Sequence, residues 1–341
     1  MRIRTLLAAL TGLAALTGLA ALCGSCRPKP DYRIVEGAML GTTLRVTACV
    51  EGPSTGELYR RIMEVDSAMK RSMSIFDENS LLSRLNRNET DSVDEHIVRN
   101  WTLAREIGAL SGGRYDVTVK PLVDAWGFAG RERTAAPNLD SLLAFVGSDK
   151  AEIRDGRLLK SDPRVQLDFN SIAKGYTVDR VAALLEGYGA ENYLVDIGGE
   201  VRCRGVNPHG NPWRIGIERP EDGVAYGQTS EVRVALNDGA LATSGNYRRY
   251  FIDPAGNKVA HTIDPRTGRS VVSRLLSATV VADDCARADA LATMYMALGA
   301  DDALRAVEVQ PEAKVLFILA VAGGEGFEIY VSPAMKELIM E

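Results

Sequence analysis

The chain has 341 residues, a net charge of −5 and a hydrophobic fraction of 46 %. These values are ordinary for a folded globular protein, and an acidic chain without a basic run gives no reason to expect a nucleic-acid partner. The length suffices for one large domain or two closely associated domains.

The N-terminal segment, residues 1–26, is typical of a bacterial lipoprotein signal. A short basic stretch precedes an apolar run from Leu6 to Leu22 that is rich in small residues. Cys26 follows the small residue Ser25, so we expect Cys26 to carry the lipid, with Cys23 as the alternative. An uncleaved anchor helix is a third interpretation. All three attach the protein to a membrane of the cell envelope and place its body on the extracytoplasmic, periplasmic side.

The rest of the chain is predicted to form one domain. Residues 27–33 are polar, contain two prolines and are expected to form a short tether. No later stretch has the composition of a linker, so residues 34–341 are assigned to a single domain. The three remaining cysteines, Cys49, Cys203 and Cys285, are an odd number without a C-x-x-C pair, which argues against a zinc site. We expect buried thiols, with a Cys49–Cys203 bridge left open.

Hydrophobic spacing predicts a mixture of helices and strands. Period-2 and apolar runs favour strands and a 3.6-residue period favours helices. There is no regular strand–helix–strand rhythm, so the predicted class is α+β with a largely antiparallel sheet. The predicted helices are 55–70, 96–110, 171–188 and 285–298, with a further helix start near Pro121, and the predicted strands are 42–50, 193–197, 213–218, 230–236, 275–282, 315–321 and 327–331.

The segment 167–176 has features of an anion site. It runs from a strand into a helix, with Asn170 or Ser171 as the expected N-cap. The free N–H groups of a first helical turn attract phosphate, and Lys174 adds a cation there. Gly175 is small enough for a ligand to approach the backbone. An ordinary capped helix with a surface lysine remains the alternative.

Two further segments carry polar side chains in unusual settings. In 112–128, Asp116 and Thr118 would face the same side if the chain were extended, although a turn with a structural aspartate is equally compatible. In 261–268, His261 is a candidate catalytic group or a packing histidine beside Ile263, and Asp264 is expected to stabilise a turn.

A candidate metal site lies in the helix 285–298. Asp289 and Thr293 are four residues apart, so their oxygen atoms face the same side of the helix. Carboxylate and hydroxyl oxygens suit Mg²⁺. The alternative is a solvated helix face, although the neighbouring Ala and Met residues argue against full exposure.

Taken together and in order, these segments resemble the ApbE family of FAD:protein FMN transferases. The resemblance extends over residues ~34–335, and its motifs are 40–43, 73–76, 83–86, 113–128, 167–176, 195–199, 242–246, 261–268 and 288–293. It implies a single ApbE-type, T-fold-like α+β domain with a mixed, largely antiparallel sheet and flanking helices.

The resemblance also implies a set of site residues. FAD, the substrate, would lie against Leu40, Phe76, Arg114, Tyr115, Asp116, Asn170, Lys174, Tyr176 and Ile263. Mg²⁺ would be bound by the backbone carbonyl of Ala173 and by Asp289 and Thr293. His261 would act in catalysis, as the candidate base. The chain departs from the family at Leu40, Phe76 and Asn170, where Met, Tyr and Gly are common.

The implied reaction is Mg²⁺-dependent transfer of FMN from FAD to a Thr or Ser hydroxyl of an acceptor flavoprotein, with release of AMP. Expected acceptors belong to membrane electron-transfer complexes. Two alternatives remain at this point: an FAD pyrophosphatase, in which water replaces the hydroxyl, and a lipoprotein that binds FAD without catalysis.

Overall fold

The computed structural model describes residues 31–128, 137–218, 230–246, 250–252, 258–321 and 326–340. Tyr32–Glu341 form one compact unit. The predicted signal, both candidate lipidation cysteines and most of the tether lie outside the described residues. Tyr32 and Arg33, assigned to the tether from sequence, are the first two residues of strand β1.

The described part of the chain alternates between strands and helices. The strands are β1 Tyr32–Met39, β2 Thr42–Cys49, β3 Ala151–Arg154, β4 Arg157–Lys160, β5 Tyr193–Ile197, β6 Glu200–Arg204, β7 Trp213–Glu218, β8 Ser230–Leu236, β9 Asp238–Gly245, β10 Tyr250–Ile252, β11 Lys258–Ala260, β12 Ile263–Asp264, β13 Arg269–Ser270, β14 Leu275–Ala282, β15 Lys314–Ala320 and β16 Phe327–Val331. The helices are α1 Thr55–Met73, α2 Leu81–Asn86, α3 Glu95–Leu110, α4 Lys120–Ala125, α5 Leu139–Leu143, α6 Ala173–Gly187, α7 Cys285–Leu298, α8 Ala300–Glu308 and α9 Pro333–Lys336, and a 3₁₀ turn covers Ser148–Lys150.

Eight strands form the central sheet, in the order β1-β2-β5-β6-β9-β14-β15-β16. Every neighbouring pair is antiparallel. Helices accompany the sheet, so the predicted α+β class with a largely antiparallel sheet is confirmed.

The two faces of the sheet are covered by different elements. On one face, β2 and β5 pack against α1 and α6, and β14 and β15 pack against α3 and α7. On the other face, the hairpin of β7 and β8 contributes Trp213, Ile215 and Val234 to a separate apolar core. Because consecutive strand residues point to opposite faces, a single strand serves both cores.

Local sequence signals explain where the long helices begin. Ser54 accepts a hydrogen bond from the N–H of Glu57 at 3.2 Å, and a Ser followed three residues later by Glu is a capping-box sequence. Asp94 caps α3 and Asp284 caps α7 in the same way, through the N–H groups of Ile97 and Arg287. The predicted helices at these positions are confirmed, with α1 extending three residues beyond its predicted end.

One local prediction was wrong, and one open alternative is decided. Helix α6 begins at Ala173, and Ile172 occupies the cap position without a side-chain bond, so neither Asn170 nor Ser171 is the N-cap. Of the two alternatives for the segment after α3, the structure has the turn with a structural aspartate and not the extended form. Asp116 accepts hydrogen bonds from both the N–H and the hydroxyl of Thr118, and such local bonds compete with strand formation.

No disulfide joins Cys49 to Cys203, so the bridge left open by the sequence is excluded. Cys203 and Cys285 are buried as expected, whereas Cys49 is half-buried. Burial accounts for the raised pKa of Cys203 and Cys285.

Within the described ranges, no helix has the length and hydropathy required to cross a bilayer.

Candidate active site

Helices α6 and α7 meet at Gly175, the third residue of α6. A Cβ atom at this position would lie 2.2 Å from the carbonyl oxygen of Cys285 and 2.8 Å from the Cβ of Asp289. Only glycine therefore allows α7 to pack this closely against the start of α6. The predicted reason for a small residue here was wrong: the space at Gly175 is filled by α7 and not by a ligand.

Asp289 lies at this contact and is 5 % exposed. One of its oxygens, Oδ2, accepts a hydrogen bond from the N–H of Gly175 at 3.0 Å. This N–H belongs to the first turn of α6, where the positive end of the helix dipole stabilises an anion. The solvated-face alternative is therefore wrong for Asp289, because the side chain faces the N-terminus of α6.

Thr293 lies one helical turn beyond Asp289 and is half-buried. Its hydroxyl oxygen is 3.1 Å from the hydroxyl oxygen of Ser244 in β9. The carbonyl of Ala173 accepts a hydrogen bond from the hydroxyl of Thr177 at 2.7 Å, and its predicted role as a metal ligand stays a prediction. One face of α7 thus places a carboxylate and a hydroxyl near the start of α6.

Lys174 and Glu200 form an ion pair beside this group, with 2.5 Å between Nζ and Oε2. Burial opposes both charges: it acts to lower the pKa of Lys174 and it raises the pKa of Glu200. The carboxylates of Glu200 and Asp289 outweigh burial at Lys174, whose pKa is raised overall. The raised pKa favours the cationic form of Lys174 beside Glu200 and Asp289.

Asp179 fixes the position of α7. Its two oxygens accept the N–H groups of Cys285 and Ala286 at 2.9 Å each, and Arg202 of β6 donates to it at 2.8 Å. Burial raises the pKa of Asp179 despite these donors. Asp179 is more than 100 positions from Cys285 and Ala286, so no local sequence pattern predicts this capping role.

Tyr115, Ser171 and Asp168 organise the approach to α6. The hydroxyl of Ser171 donates to the phenol oxygen of buried Tyr115 at 2.9 Å, and burial raises the pKa of that phenol. Asp168 accepts the N–H of Asn170 at 2.8 Å, while the Asn170 side chain is exposed.

Arg114 and Asp116 are engaged with other parts of the protein. Arg114 donates to the carbonyl of Leu298 and pairs with Asp302 at 2.7 Å, which ties it to the end of α7 and the start of α8. Asp116 accepts the N–H of Ser148 at 2.6 Å in addition to its two bonds with Thr118. These contacts give both residues a structural role, and their predicted contact with FAD stays a prediction.

Leu40 and Phe76 present apolar atoms at the surface. Leu40 lies in the turn between β1 and β2 with a φ of 52°, a left-handed conformation uncommon for a non-glycine residue. The carboxylate of Asp66 on α1 accepts the N–H of Leu40 at 3.2 Å and stabilises the turn. Phe76 follows the end of α1 and is 67 % exposed, which is unusual for phenylalanine and is compatible with a ligand contact.

His261 lies beside aromatic side chains. Its ring is 6.3 Å from that of Phe128 in an edge-on arrangement, and Phe128 also contacts Phe251. The next residue, Thr262, donates to the side chain of Asn246 at 2.7 Å, and Asn246 is two residues beyond Ser244. Through this bond the segment containing His261 is joined to the end of β9, which also contacts Thr293. Ile263 is buried with Leu122 and Val146.

The turn after His261 forms as predicted. The carbonyl of Asp264 accepts the N–H of Gly268 at 2.8 Å, and its carboxylate pairs with Arg266. The indole of Trp126 donates to the carbonyl of Gly268 at 2.7 Å and fixes this turn against α4.

His96 contacts a predicted FAD-binding residue, Tyr176. Its Nδ1 atom lies 3.0 Å from the hydroxyl oxygen of Tyr176 on α6. The two residues are 80 positions apart, so no local pattern could reveal the contact.

No group of three or more His, Cys, Asp or Glu side chains suited to a metal is found in the described part of the chain. The candidate site at Asp289 instead combines one carboxylate with neutral oxygen atoms.

The chain is similar to known flavin transferases over most of its length. The ApbE family model matches residues 40–317. A relative named FAD:protein FMN transferase, from Vibrio cholerae serotype O1, is 34 % identical over 324 residues, which cover 92 % of this chain and 95 % of that protein. A relative of the same name from Haemophilus influenzae is also 34 % identical, over 330 residues covering 92 % and 93 %.

Solved structures agree with these sequence relatives. The flavin transferase ApbE from Vibrio cholerae has a TM-score of 0.79 and 33 % identity, covering 90 % of this chain and 99 % of that chain. The apo form of the Pseudomonas stutzeri flavinyl transferase ApbE has a TM-score of 0.80 and 29 % identity, covering 90 % and 96 %.

Proposed function

We propose that this chain, which belongs to the ApbE family, is an enzyme that transfers FMN from FAD to a hydroxyl of another protein, with Mg²⁺ as the required metal. The observation that carries the proposal is the placement of Asp289. It is a buried carboxylate at the positive end of α6, and Thr293 lies one turn away on the same face of α7.

The residues at the start of α6 fit Mg²⁺. The candidate ligands are all oxygen atoms, as Mg²⁺ prefers, and three protein ligands leave positions for water and for phosphate oxygens of the substrate. Bound there, the metal would neutralise charge on the pyrophosphate of FAD. Asp289 is a buried anion that a cation would stabilise, which supports the assignment.

Lys174 and the start of α6 would bind and orient the phosphates. The first helical turn supplies N–H groups and a partial positive charge, and Lys174 adds a full charge held in place by Glu200. Phosphoryl transfer depends mainly on positioning and charge stabilisation, so these groups act on the bond between the AMP and FMN parts.

His261 is the proposed general base. The acceptor hydroxyl must lose a proton as its oxygen attacks the phosphorus on the FMN side, and histidine is the side chain suited to accept that proton near neutral pH. The hydrogen bond from Thr262 to Asn246 and the one between Ser244 and Thr293 support this role, because they link His261 to the candidate metal site.

The proposed setting is the outer face of a bacterial membrane. The signal-like segment with Cys26 supports a lipid anchor, and the proposed acceptors are extracytoplasmic flavoproteins of membrane electron-transfer complexes, modified at Thr or Ser.

Incubation of the protein with FAD, MgCl₂ and a candidate acceptor tests the proposal. Covalent flavin fluorescence on the denatured acceptor band is the expected result, with an equal amount of AMP released. AMP release at an unchanged rate without acceptor would instead indicate a pyrophosphatase. Intact FAD after hours with several acceptors would contradict the proposal.

A further inference from the structure

Ser244 belongs to a motif, residues 242–246, for which the proposed reaction gives no role. It lies in β9, and α7 packs against this strand. The oxygen atoms of the Ser244 and Thr293 hydroxyls are 3.1 Å apart, so this hydrogen bond joins the sheet to the helix at the candidate metal site.

The direction of this hydrogen bond matters for metal binding. A hydroxyl binds a cation through a lone pair of its oxygen, and its single hydrogen then points away from the cation and needs an acceptor. Ser244 Oγ is at the right distance to accept the hydrogen of Thr293. If Thr293 instead accepted from Ser244, one lone pair would be used and the hydroxyl hydrogen could turn toward the cation.

Asp289 has a comparable partner. The N–H of Gly175 holds its Oδ2 atom at 3.0 Å, and this bond fixes the orientation of the carboxylate. Each of the two side-chain ligands is thus oriented by a group from a different element: Asp289 by α6 and Thr293 by β9.

We propose that Ser244 is a positioning residue for the metal site, which accepts the hydroxyl hydrogen of Thr293 and so turns the Thr293 oxygen toward Mg²⁺. The inference rests on the proposed function, since it requires that Thr293 binds the metal. Partners of metal ligands typically change metal affinity by ~10–100-fold when they are removed.

The chain offers a matched control on the same strand. Thr243 points to the opposite face of the sheet, and its hydroxyl oxygen lies 2.8 Å from that of Thr279 on β14. Thr243→Val therefore removes a hydroxyl–hydroxyl bond of the same kind that has no link to α7. It leaves the fully buried Thr279 hydroxyl without this partner, so the protein should lose stability.

Titration of the full-length protein in detergent with Mn²⁺, followed by electron paramagnetic resonance, tests the inference without FAD or turnover. Ser244→Ala should weaken Mn²⁺ binding ~10-fold or more. Thr243→Val should leave binding within twofold while its melting temperature falls. In the Ser244→Ala/Thr293→Val double variant, binding should equal that of Thr293→Val alone, because Ser244 acts through Thr293.

Two results would overturn the role of Ser244 while leaving the proposed metal site intact. One is an unchanged Mn²⁺ affinity in Ser244→Ala. The other is a loss of Mn²⁺ affinity in the double variant equal to the product of the two single losses. Absence of Mn²⁺ binding by the wild-type protein would overturn the metal site of the proposed function, and this inference with it.

Discussion

Asp289 combines burial with a position that favours a cation. Burial raises its pKa to about 6, while Lys174 and the N–H of Gly175 act in the opposite direction. Because the pKa stays raised despite these two groups, a further positive charge would stabilise the ionised carboxylate, as the proposed metal site requires.

Asp289→Asn separates these two roles. It keeps the shape and an acceptor for Gly175 but removes the formal charge, so we expect Mg²⁺-dependent FMN transfer to fall ~100-fold or more. The free energy of unfolding in EDTA should change little or rise, because a buried charge has been removed. Thr293→Val should cost less activity, since it deletes a neutral ligand. Transfer assays and urea denaturation measure the two effects, and full Mg²⁺-dependent activity in Asp289→Asn would contradict the site.

Gly175 gives a prediction about packing. In Gly175→Ala the new Cβ would overlap backbone atoms of Cys285, which cannot move away as a side-chain end can. We expect a loss of ~1–3 kcal/mol or more in the free energy of unfolding, and weaker metal binding as α7 is displaced.

Gly187→Ala is the matched control in the same helix. An added Cβ at Gly187 meets nothing within 4 Å, so this change should stabilise the protein by ~0.5–1 kcal/mol. Urea denaturation of both variants measures the difference. Equal stabilities would show that α6 and α7 are not packed as closely as described.

Side chains of one site could be predicted to lie together where they are close in sequence. Asp289 and Thr293 are four residues apart, and helical geometry places them on one face without knowledge of the fold. Prediction fails for partners that are distant in sequence, such as Ser244 with Thr293 or His96 with Tyr176, because only the tertiary fold brings them together.

At the scale of elements, α7 is held at its start by two different aspartates. Asp284 caps the helix locally through the N–H of Arg287, whereas Asp179 reaches from α6 to the N–H groups of Cys285 and Ala286. The position of α7 relative to α6 therefore depends on Asp179 and not on the local cap.

Asp179→Ala should lower both stability and metal affinity. It removes the ion-pair partner of half-buried Arg202 and the acceptor of the Cys285 and Ala286 N–H groups, so we expect a loss of ~1.5–3 kcal/mol. Asp284→Ala should cost only ~1 kcal/mol, the usual effect of losing an N-cap. Its Mn²⁺ affinity should stay close to that of the wild type. Equal losses of affinity in both variants would refute a specific role for Asp179.

Most elements could be predicted from the sequence because their hydrophobic periods are regular and their caps are local. The start of α6 could not, because Asn170 and Ser171 are good capping residues whose tendency is overridden here. Asp168 holds the N–H of Asn170 and Tyr115 binds the hydroxyl of Ser171, so the chain enters the helix only at Ala173.

At the scale of the molecule, the order of motifs identified the family although each motif alone had a structural alternative. The order of the strands in the sheet could not be derived from one sequence, since it depends on non-local pairings such as β6 with β9. Membrane attachment stays a prediction from residues 1–26.

Metabolic labelling with a fatty acid tests that attachment. Labelling should be lost in Cys26→Ala and retained in Cys23→Ala, because Ser25 before Cys26 matches a lipoprotein signal better than Leu22 before Cys23. The opposite pattern would assign the lipid to Cys23. Labelling unaffected by either change would indicate an anchor helix or a simple secretory signal.

The most direct test of the proposed reaction compares wild-type protein with Asp289→Asn in one assay with FAD, an acceptor and MgCl₂ or EDTA. The wild type with Mg²⁺ should attach FMN covalently to the acceptor and release one AMP per flavin attached, whereas the variant, or the wild type in EDTA, should do neither. Equal flavin attachment in all three reactions would contradict a metal-dependent transfer centred on Asp289.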